Sequence, residues 1–557
     1  MKGRLMGVET EYAITAATRA GKCVDRPALV DKFFRAARQQ LPNIRDFGGG
    51  MFLQNGSRLY CDMGLHPELA TPECTSPSET VMYVLAGEEI LRGIADSLEK
   101  RLPDIDEVQL FRTNVDYSGT QSTWGCHESY LHRTDPEAVK GQIIPHLASR
   151  VIYTGAGGFN PLAEGVEFSL SPRVAHLKTD VSRESTHSRG IFHTKNETLA
   201  EGDCNRLHIL CGESLCSQTS SFLKIGTTAL VVAMIEAGVC RAEAVQLRFP
   251  LQAMRMFSSD PRCQAAAALN GGKNASAIEI QRHYLSLAEA NLSREFMPEW
   301  AAGVCREWRR VLDCLEREPT ALDTTLDWAI KLSVFTNRVS QRGLVWESLP
   351  HWNRGLSWLW GALSSTQFHR TPITAELVLG GGSPLKNEVE ALTPYLADVG
   401  LRWDDLDLFT GLKRELFEID MRFAQLSRKS VFAALDKAGV LSHRLCGRSE
   451  VKVAVSDPPS DGRGRLRGEF VRRNGARKNR YYCDWRGVWD FHGKRALDLS
   501  NPFESEERWR TLSKEEEEFC GYEPWNLPAF LRTAGSRGTG SRRASDAGAG
   551  LSNEPPF

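Results

Sequence analysis

The chain has 557 residues, 41% of them hydrophobic and 25% charged, with a formal net charge of −1. That is enough for a large core and more than one domain of an ordinary globular protein. Near-neutrality excludes a global attraction to nucleic acid or to an anionic membrane, so any partner must be held by local features. No apolar run reads as long enough to cross a bilayer. The opening MKGRLMGVETEY has one short apolar patch and then acids, which is not the pattern of a signal peptide. The 14 cysteines are scattered without a Cys-x-x-Cys pair, and Cys204, His208, Cys211 and Cys216 fit no usual zinc spacing. They are expected to be reduced, apolar-core cysteines of a cytoplasmic protein.

Gly7 to Ile14 (GVETEYAI) reads as a strand with Glu9 and Glu11 on one face and Val8, Thr10 and Tyr12 on the other. Two neighbouring carboxylates repel unless a cation neutralises them, so the face is either a solvated edge or a divalent-metal site. Arg26 to Leu41 has helical spacing and a proline suited to the first turn. After the triple glycine at Gly48 comes Asn55 to Cys74, NGSRLYCDMGLHPELATPEC. In its strand, Arg58, Tyr60 and Asp62 alternate with Leu59, Cys61 and Met63 and lead into a loop carrying Glu68 and Glu73. A guanidinium, a phenol and several carboxylates together suggest an anion and metal site on a sheet. Ser78 to Leu102 is an amphipathic helix whose apolar stripe is explained by core packing.

Val108 to Arg133 reads as two strands about a glycine-containing turn. Within GCHESYL, adjacent His127 and Glu128 must face opposite ways; Glu128 is favoured as the metal or nucleotide contact, with His127 structural. YTGAGGFN, from Tyr153, is glycine-rich but is neither a P-loop nor a dinucleotide fingerprint. Asn205 to Leu210 alternates again and sets Arg206 and His208 on one face. Ser221 to Ala237 reads as a buried helix. Helices are expected from Ser276 to Gln341 and from Leu412 to Ala438, with a loop at Gly380–Gly382. Ser449 to Phe503 (EVKVAV, GEFVRR, RYYCDW) reads as a small β-rich unit, and beyond Thr533 the composition is that of a disordered tail.

Glu9, Glu11, Tyr60, Asp62, Glu68 and Glu128, with Arg58 and Arg206, form the candidate face. Carboxylates to hold Mg²⁺ and guanidinium groups to hold phosphate oxygens are what triphosphate chemistry requires. The residues alone therefore indicate an ATP-using enzyme.

GVETEY, NGSRLYCDMGLHPELATPEC, GCHESYL and RLHILCGESLCSQTSSFLKIGTTALVV resemble the Pup ligase and depupylase family, relatives of glutamine synthetase, over Met1 to about Pro502. The resemblance implies an α+β fold: a curved antiparallel sheet flanked by helices (1–445), a small β-rich C-terminal domain (446–530) and a tail (531–557). It implies Mg²⁺ at Glu9, Tyr60 and Glu68, ATP contacts at Arg58, Thr71 and Trp485, and Asp62 as the catalytic base. The implied reaction has two steps. ATP phosphorylates the γ-carboxylate of a C-terminal glutamate on Pup, a ubiquitin-like modifier, and a substrate lysine then displaces phosphate to form an isopeptide bond. Thr15 to Gln54 carries no long insertion, and Thr71–Cys74 reads TPEC; both favour the ligase branch over the depupylase branch. The chain departs from the family at Lys195-Asn196-Glu197-Thr198, in place of Arg-Asp-Glu-Pro, at Asn205-Arg206, in place of paired arginines, and at Leu69, in place of an aromatic. These changes fall on the acceptor half. They leave two alternatives to a ligase acting on Pup-like modifiers and lysine-bearing proteins: a phosphotransferase or ATPase with a small acceptor, and a depupylase or deamidase. Neither nucleic acid nor membrane is expected as a partner.

Overall fold

The structure, a computed structural model, describes residues 4–519 except 20, 22–23, 63, 120–121, 164, 185–186, 196–198, 201, 351, 443, 477–479 and most of 354–401. The predicted loop at 380–382 and the predicted tail at 531–557 lie outside the described residues.

Alternation of apolar and polar residues builds one long sheet. Its strands are β1 (Met6–Glu11), β3 (Asn43–Arg45), β4 (Met51–Leu53), β5 (Arg58–Cys61), β6 (Pro67–Ala70), β8 (Cys126–His132) and β9 (Asn205–Ile209), with β10 (Tyr481–Cys483), β11 (Gly487–Asp490), β12 (Arg495–Asp498) and β13 (Trp509–Thr511). The order is β9-β8-β1-β6-β5-β4-β3-β10-β11-β12-β13. Every pairing is antiparallel except the parallel bridge of β10 to β3, at Tyr482 and Arg45. Beside this sheet, β2 (Ala13–Thr18) and β7 (Ile105–Phe111) pair as a separate ribbon. The two strands predicted around the turn in Val108–Arg133 thus exist as β7 and β8 but do not pair with each other. Each takes a partner from the first strands of the chain instead.

One face of the sheet is covered by helices. Helix α1 (Arg26–Gln40) starts where the Asp25 carboxylate accepts from Ala28 N–H, with Pro27 in the first turn. With α2 (Pro77–Glu99), capped by Ser76, it buries Phe33, Ile90, Leu91 and Ile94 against Met51, Leu59 and Leu69. Helices α3 (Pro136–Ser149) and α4 (Gln218–Glu236) complete that layer over Val8, Tyr130, Leu207 and Ile209. Contrary to the sequence reading of apolar runs, α4 is long and apolar enough to span a bilayer, but 94% of its most apolar window is buried inside the protein. It is a core helix, all of whose sides meet other side chains.

The C-terminal region differs from its predicted texture. EVKVAV lies in helix α5 (Arg448–Ala454) and GEFVRR in helix α6 (Gly462–Asn474); only RYYCDW contributes a strand, β10. In α6 the buried side chains Arg463, Leu466, Arg467, Phe470 and Val471 recur at helical spacing. The flanking glycines and arginines hid that stripe. The hydrophobic cluster of this region is shared with the main sheet: Leu466, Phe470, Val488 and Leu497 pack with Ile44 and Phe52.

Candidate active site

The sheet face away from α1 to α4 carries the polar residues, and strand register decides which. Across β1 and β6, Glu11 stands opposite Glu68; across β5 and β6, Tyr60 stands opposite Glu68; across β1 and β8, Glu9 stands opposite His127. Directly paired residues share a face, so Glu9, Glu11, Tyr60, Glu68 and His127 converge. His208 and Arg206 join them from β9. Arg206 donates to Glu9 (3.1 Å) and to Ser129 Oγ (3.0 Å), and His208 Nε2 is 3.5 Å from Glu9. His127 sits among three acids, 3.6 Å from Glu9, 3.7 Å from Glu11 and 3.9 Å from Glu68.

Glu128 is a correction. It pairs with Val8 and Ile209 and therefore points into the helical layer, where it is fully buried. There it forms a two-point ion pair with Arg150, at 2.8 and 2.6 Å, and accepts from Tyr130 Oη. His127, read from sequence as structural, is the member of that dipeptide at the acidic face. The signal was available: Glu9 and Val8 face opposite ways, and the antiparallel register carries that distinction into β8.

The acids of this cluster act on one another. Burial pushes the Glu68 carboxyl well above its usual range, and the negative charges of Glu9 and Glu11 push it further. Burial also raises Glu9, but the Arg206 charge and bonds from His127 and His208 outweigh it and hold Glu9 well below the usual value. The Tyr60 phenol is raised by burial and by Glu9 and Glu68. Among the described residues, Glu9 with His127 and His208, Glu11 with Glu68 and His127, and Glu11 with Asp62 and His66 each bring ligand atoms within 4.8 Å of one another. Cys204, Cys211 and Cys216 are in none of these groups, and all three are free and buried.

Asp62 stands at the mouth of the turn from β5 to β6, closed by its N–H to His66 O (3.1 Å) and by Leu65 N–H to Asp62 O (3.2 Å). Its side chain accepts from His66 N–H at 2.7 Å and lies 3.2 Å from His66 Nδ1. One carboxylate thus has both oxygens oriented at the end of the acidic row. Arg58 is fixed by Asp46, 2.6 Å from Nε, and lies over the Tyr60 ring at 4.2 Å. Asp46 was not singled out from sequence, because its partner is reached only through the β3–β4–β5 meander.

Thr71 and Trp485 meet at a second feature, a cleft beside Glu9 and Arg206 that Arg463 and Leu199 also line. Thr71 Oγ1 accepts from Val8 N–H at 3.1 Å. Trp485 sits at the tip of the β10–β11 hairpin, whose turn is closed by Asp484 accepting from Arg486 and Gly487 N–H. At the opposite end, Gly125 N–H donates to Glu11 (2.8 Å), and a Cβ on Gly125 would lie 2.4 Å from His127 Nε2 and 2.9 Å from Arg173 Nη2. Arg189 is near enough to Arg173 and Glu11 to feel both charges. Of the altered family positions, Lys195 and Asn205 are described, and Asn205 turns its amide to Thr134 O; residues 196–198 lie outside the described residues.

A mainly antiparallel sheet with helices on one face and an acid-rich row on the other, running into a cleft, gives the chain a glutamine synthetase-like fold. The chain matches the family described as Pup-ligase protein over residues 4–358 and 389–489. A Pup–protein ligase of Kineococcus radiotolerans is 30% identical over 495 residues, covering 87% of this chain and 93% of that one. One from Mycobacteroides abscessus is 30% identical over 494 residues, with the same coverage. This chain belongs to the Pup-ligase family. Two solved structures share its fold. The ligase PafA in complex with the prokaryotic ubiquitin-like protein Pup has a TM-score of 0.68 at 22% identity, covering 97% of this chain and 99% of that one. PafA in complex with ADP has a TM-score of 0.62 at 24% identity, covering 89% and 94%. Family and fold are thus as the sequence motifs implied.

Proposed function

We propose that this protein is an ATP-dependent ligase that phosphorylates the γ-carboxylate of a C-terminal glutamate on a Pup-like modifier and joins it to a substrate lysine. Membership of the Pup-ligase family supports the reaction class. The observation that carries the site assignment is the row from the Thr71–Trp485 cleft through Glu9, Glu68 and Glu11 to Asp62. It has an open cleft at one end and an oriented carboxylate at the other.

The donor set fits Mg²⁺: Glu9, Glu68 and the Tyr60 oxygen, with Glu11 alongside, are hard oxygen ligands, and a cation among them would offset the burial and the Glu9 and Glu11 charges that push Glu68 up. Bound there, the ion would screen the charge of the transferring phosphoryl group. Thr71 and Trp485 line the nucleotide end, and Arg58 and Arg206 supply guanidinium groups for phosphate oxygens. In the first step a carboxylate oxygen of the modifier attacks the γ-phosphorus and ADP leaves. Arg189, near enough to Glu11 to feel its charge, offers positive charge to the incoming carboxylate where the family's arginines are replaced at Lys195 and Asn205. In the second step the lysine nitrogen attacks the acyl carbon of the mixed anhydride, its proton passes to Asp62, and phosphate departs. The two bonds from His66 leave lone pairs on both Asp62 oxygens for that proton.

Incubating the protein with ATP, a modifier ending in Gly-Gly-Glu and a lysine-bearing protein should give an isopeptide adduct by mass spectrometry, together with ADP and phosphate. A stable phosphorylated small molecule with no adduct, or hydrolysis of a pre-formed adduct without ATP turnover, would replace this reading.

A further inference from the structure

We propose that Glu73, Arg463 and Arg467 form a buried latch by which helix α6 sets the width of the nucleotide cleft and holds Trp485 at its wall. The inference rests on the ATP-ligase reading, and all three are positioning residues.

Glu73 follows directly on the cleft residues Thr71 and Pro72. Its carboxylate accepts from Arg463 Nε at 2.5 Å and from Arg467 Nη2. Arg463 Nη1 also donates to Leu199 O (2.5 Å) and Leu499 O (3.3 Å). One guanidinium therefore ties the exit of β6 and the approach to β9, which both line the cleft, to the end of β12. Arg467 is 0% exposed and lies over the rings of Trp485 (4.7 Å) and Phe52 (5.0 Å). Rotation of the indole is thereby limited from beneath.

The approach of α6 depends on missing side chains. A Cβ on Gly468 would come within 2.8 Å of Gln54 O and 3.0 Å of Gly56 N, and one on Gly56, at φ +83°, within 2.8 Å of Gly464 O. With the backbones this close, the latch cannot reform at another spacing. Two guanidinium groups share the Glu73 carboxylate, which is 14% exposed while both arginines are buried. Among the described residues Arg467 Nη1 has no hydrogen-bond partner. Removing the carboxylate would leave two buried cations facing each other, the costly way to break a buried ion pair.

Nucleotide binding to the full chain, measured by calorimetry with ADP alone and no modifier, tests this directly. Glu73→Gln keeps the shape and removes the charge. It should weaken ADP binding by about tenfold or more, because the latch that fixes the cleft wall and Trp485 is released. KM for ATP should rise in parallel, while kcat at saturating ATP changes by less than about threefold, because Asp62 and the acidic row are untouched. Glu73→Asp should recover part of the affinity, and Arg463→Lys, which loses the two-point fork, should show an intermediate loss. These two variants decide the matter if Glu73→Gln does not fold. Wild-type ADP affinity in any folded variant whose melting temperature has fallen would make the triad a stability element only and overturn the proposal. Failure of the wild-type protein to bind ADP would instead overturn the ATP reading beneath it.

Discussion

Asp62 and Asp46 are both carboxylates in tight turns, yet the structure gives them different work. Asp46 is buried and paired with Arg58; Asp62 is oriented by His66 and, in the proposed reaction, accepts the lysine proton. Asp62→Asn should therefore bind ATP normally but lose ligation by on the order of 10²–10⁴-fold, the usual worth of a general base, as read by adduct formation in single turnover. Asp46→Asn should act through the nucleotide, raising KM for ATP several-fold while the adduct still forms at saturation, the pattern of lost uniform binding. Glu73 gives a pH signature. Burial raises its carboxyl, but the Arg467 and Arg463 charges outweigh that and bring it to about 2, below the roughly 4.3 of an unfolded glutamate. A depressed folded pKa means that the stabilisation is complete above the unfolded value and is lost as pH falls towards the folded one. Wild-type melting temperature should thus drop more steeply between about pH 4.3 and the lowest pH at which the protein stays folded than that of Glu73→Gln. Parallel curves for the two proteins would contradict the pairing.

The strands around Asn55–Cys74 and Gly7–Ile14 were legible because each has one apolar and one chemically able face, and a period of two survives any tertiary context. Alternation did not tell which strands pair. Val108–Arg133 looked like a hairpin because its two strands are adjacent in the chain, whereas β7 and β8 bond to β2 and β1. That pairing is what puts His127 rather than Glu128 at the acids. Under the sheet, Glu128 and Arg150 are both almost wholly buried, so Arg150→Met should strand a carboxylate and cost about 3–5 kcal/mol in urea unfolding. ADP affinity of the folded fraction should stay unchanged; a specific loss of nucleotide binding would return Glu128 to the site. Helix α6 was misread for the opposite reason: glycines that permit close packing on the Gln54–Ser57 turn lower helix propensity, so its buried arginine stripe looked like a loop and strand.

Taken together, the sheet runs without interruption from the acidic row into the C-terminal strands, and the cleft proposed for the nucleotide is lined by N-terminal and C-terminal residues. The acids, Tyr60 and Arg58 come from the first 70 residues and could be found as a local motif; Trp485 is reached through resemblance, and Arg463 and Arg467 only through the fold. The account stands or falls on whether phosphoryl transfer and amide formation occur together at this face. The most direct measurement is a quench-flow single turnover with γ-labelled ATP, a modifier ending in Gly-Gly-Glu and a lysine-bearing protein, following ADP and adduct in the same samples. The account predicts that ADP appears first and that adduct then forms in equal amount, with Asp62→Asn retaining the ADP burst and losing the adduct. Adduct formed without ADP, or ADP released with no adduct from the wild-type protein, would contradict it.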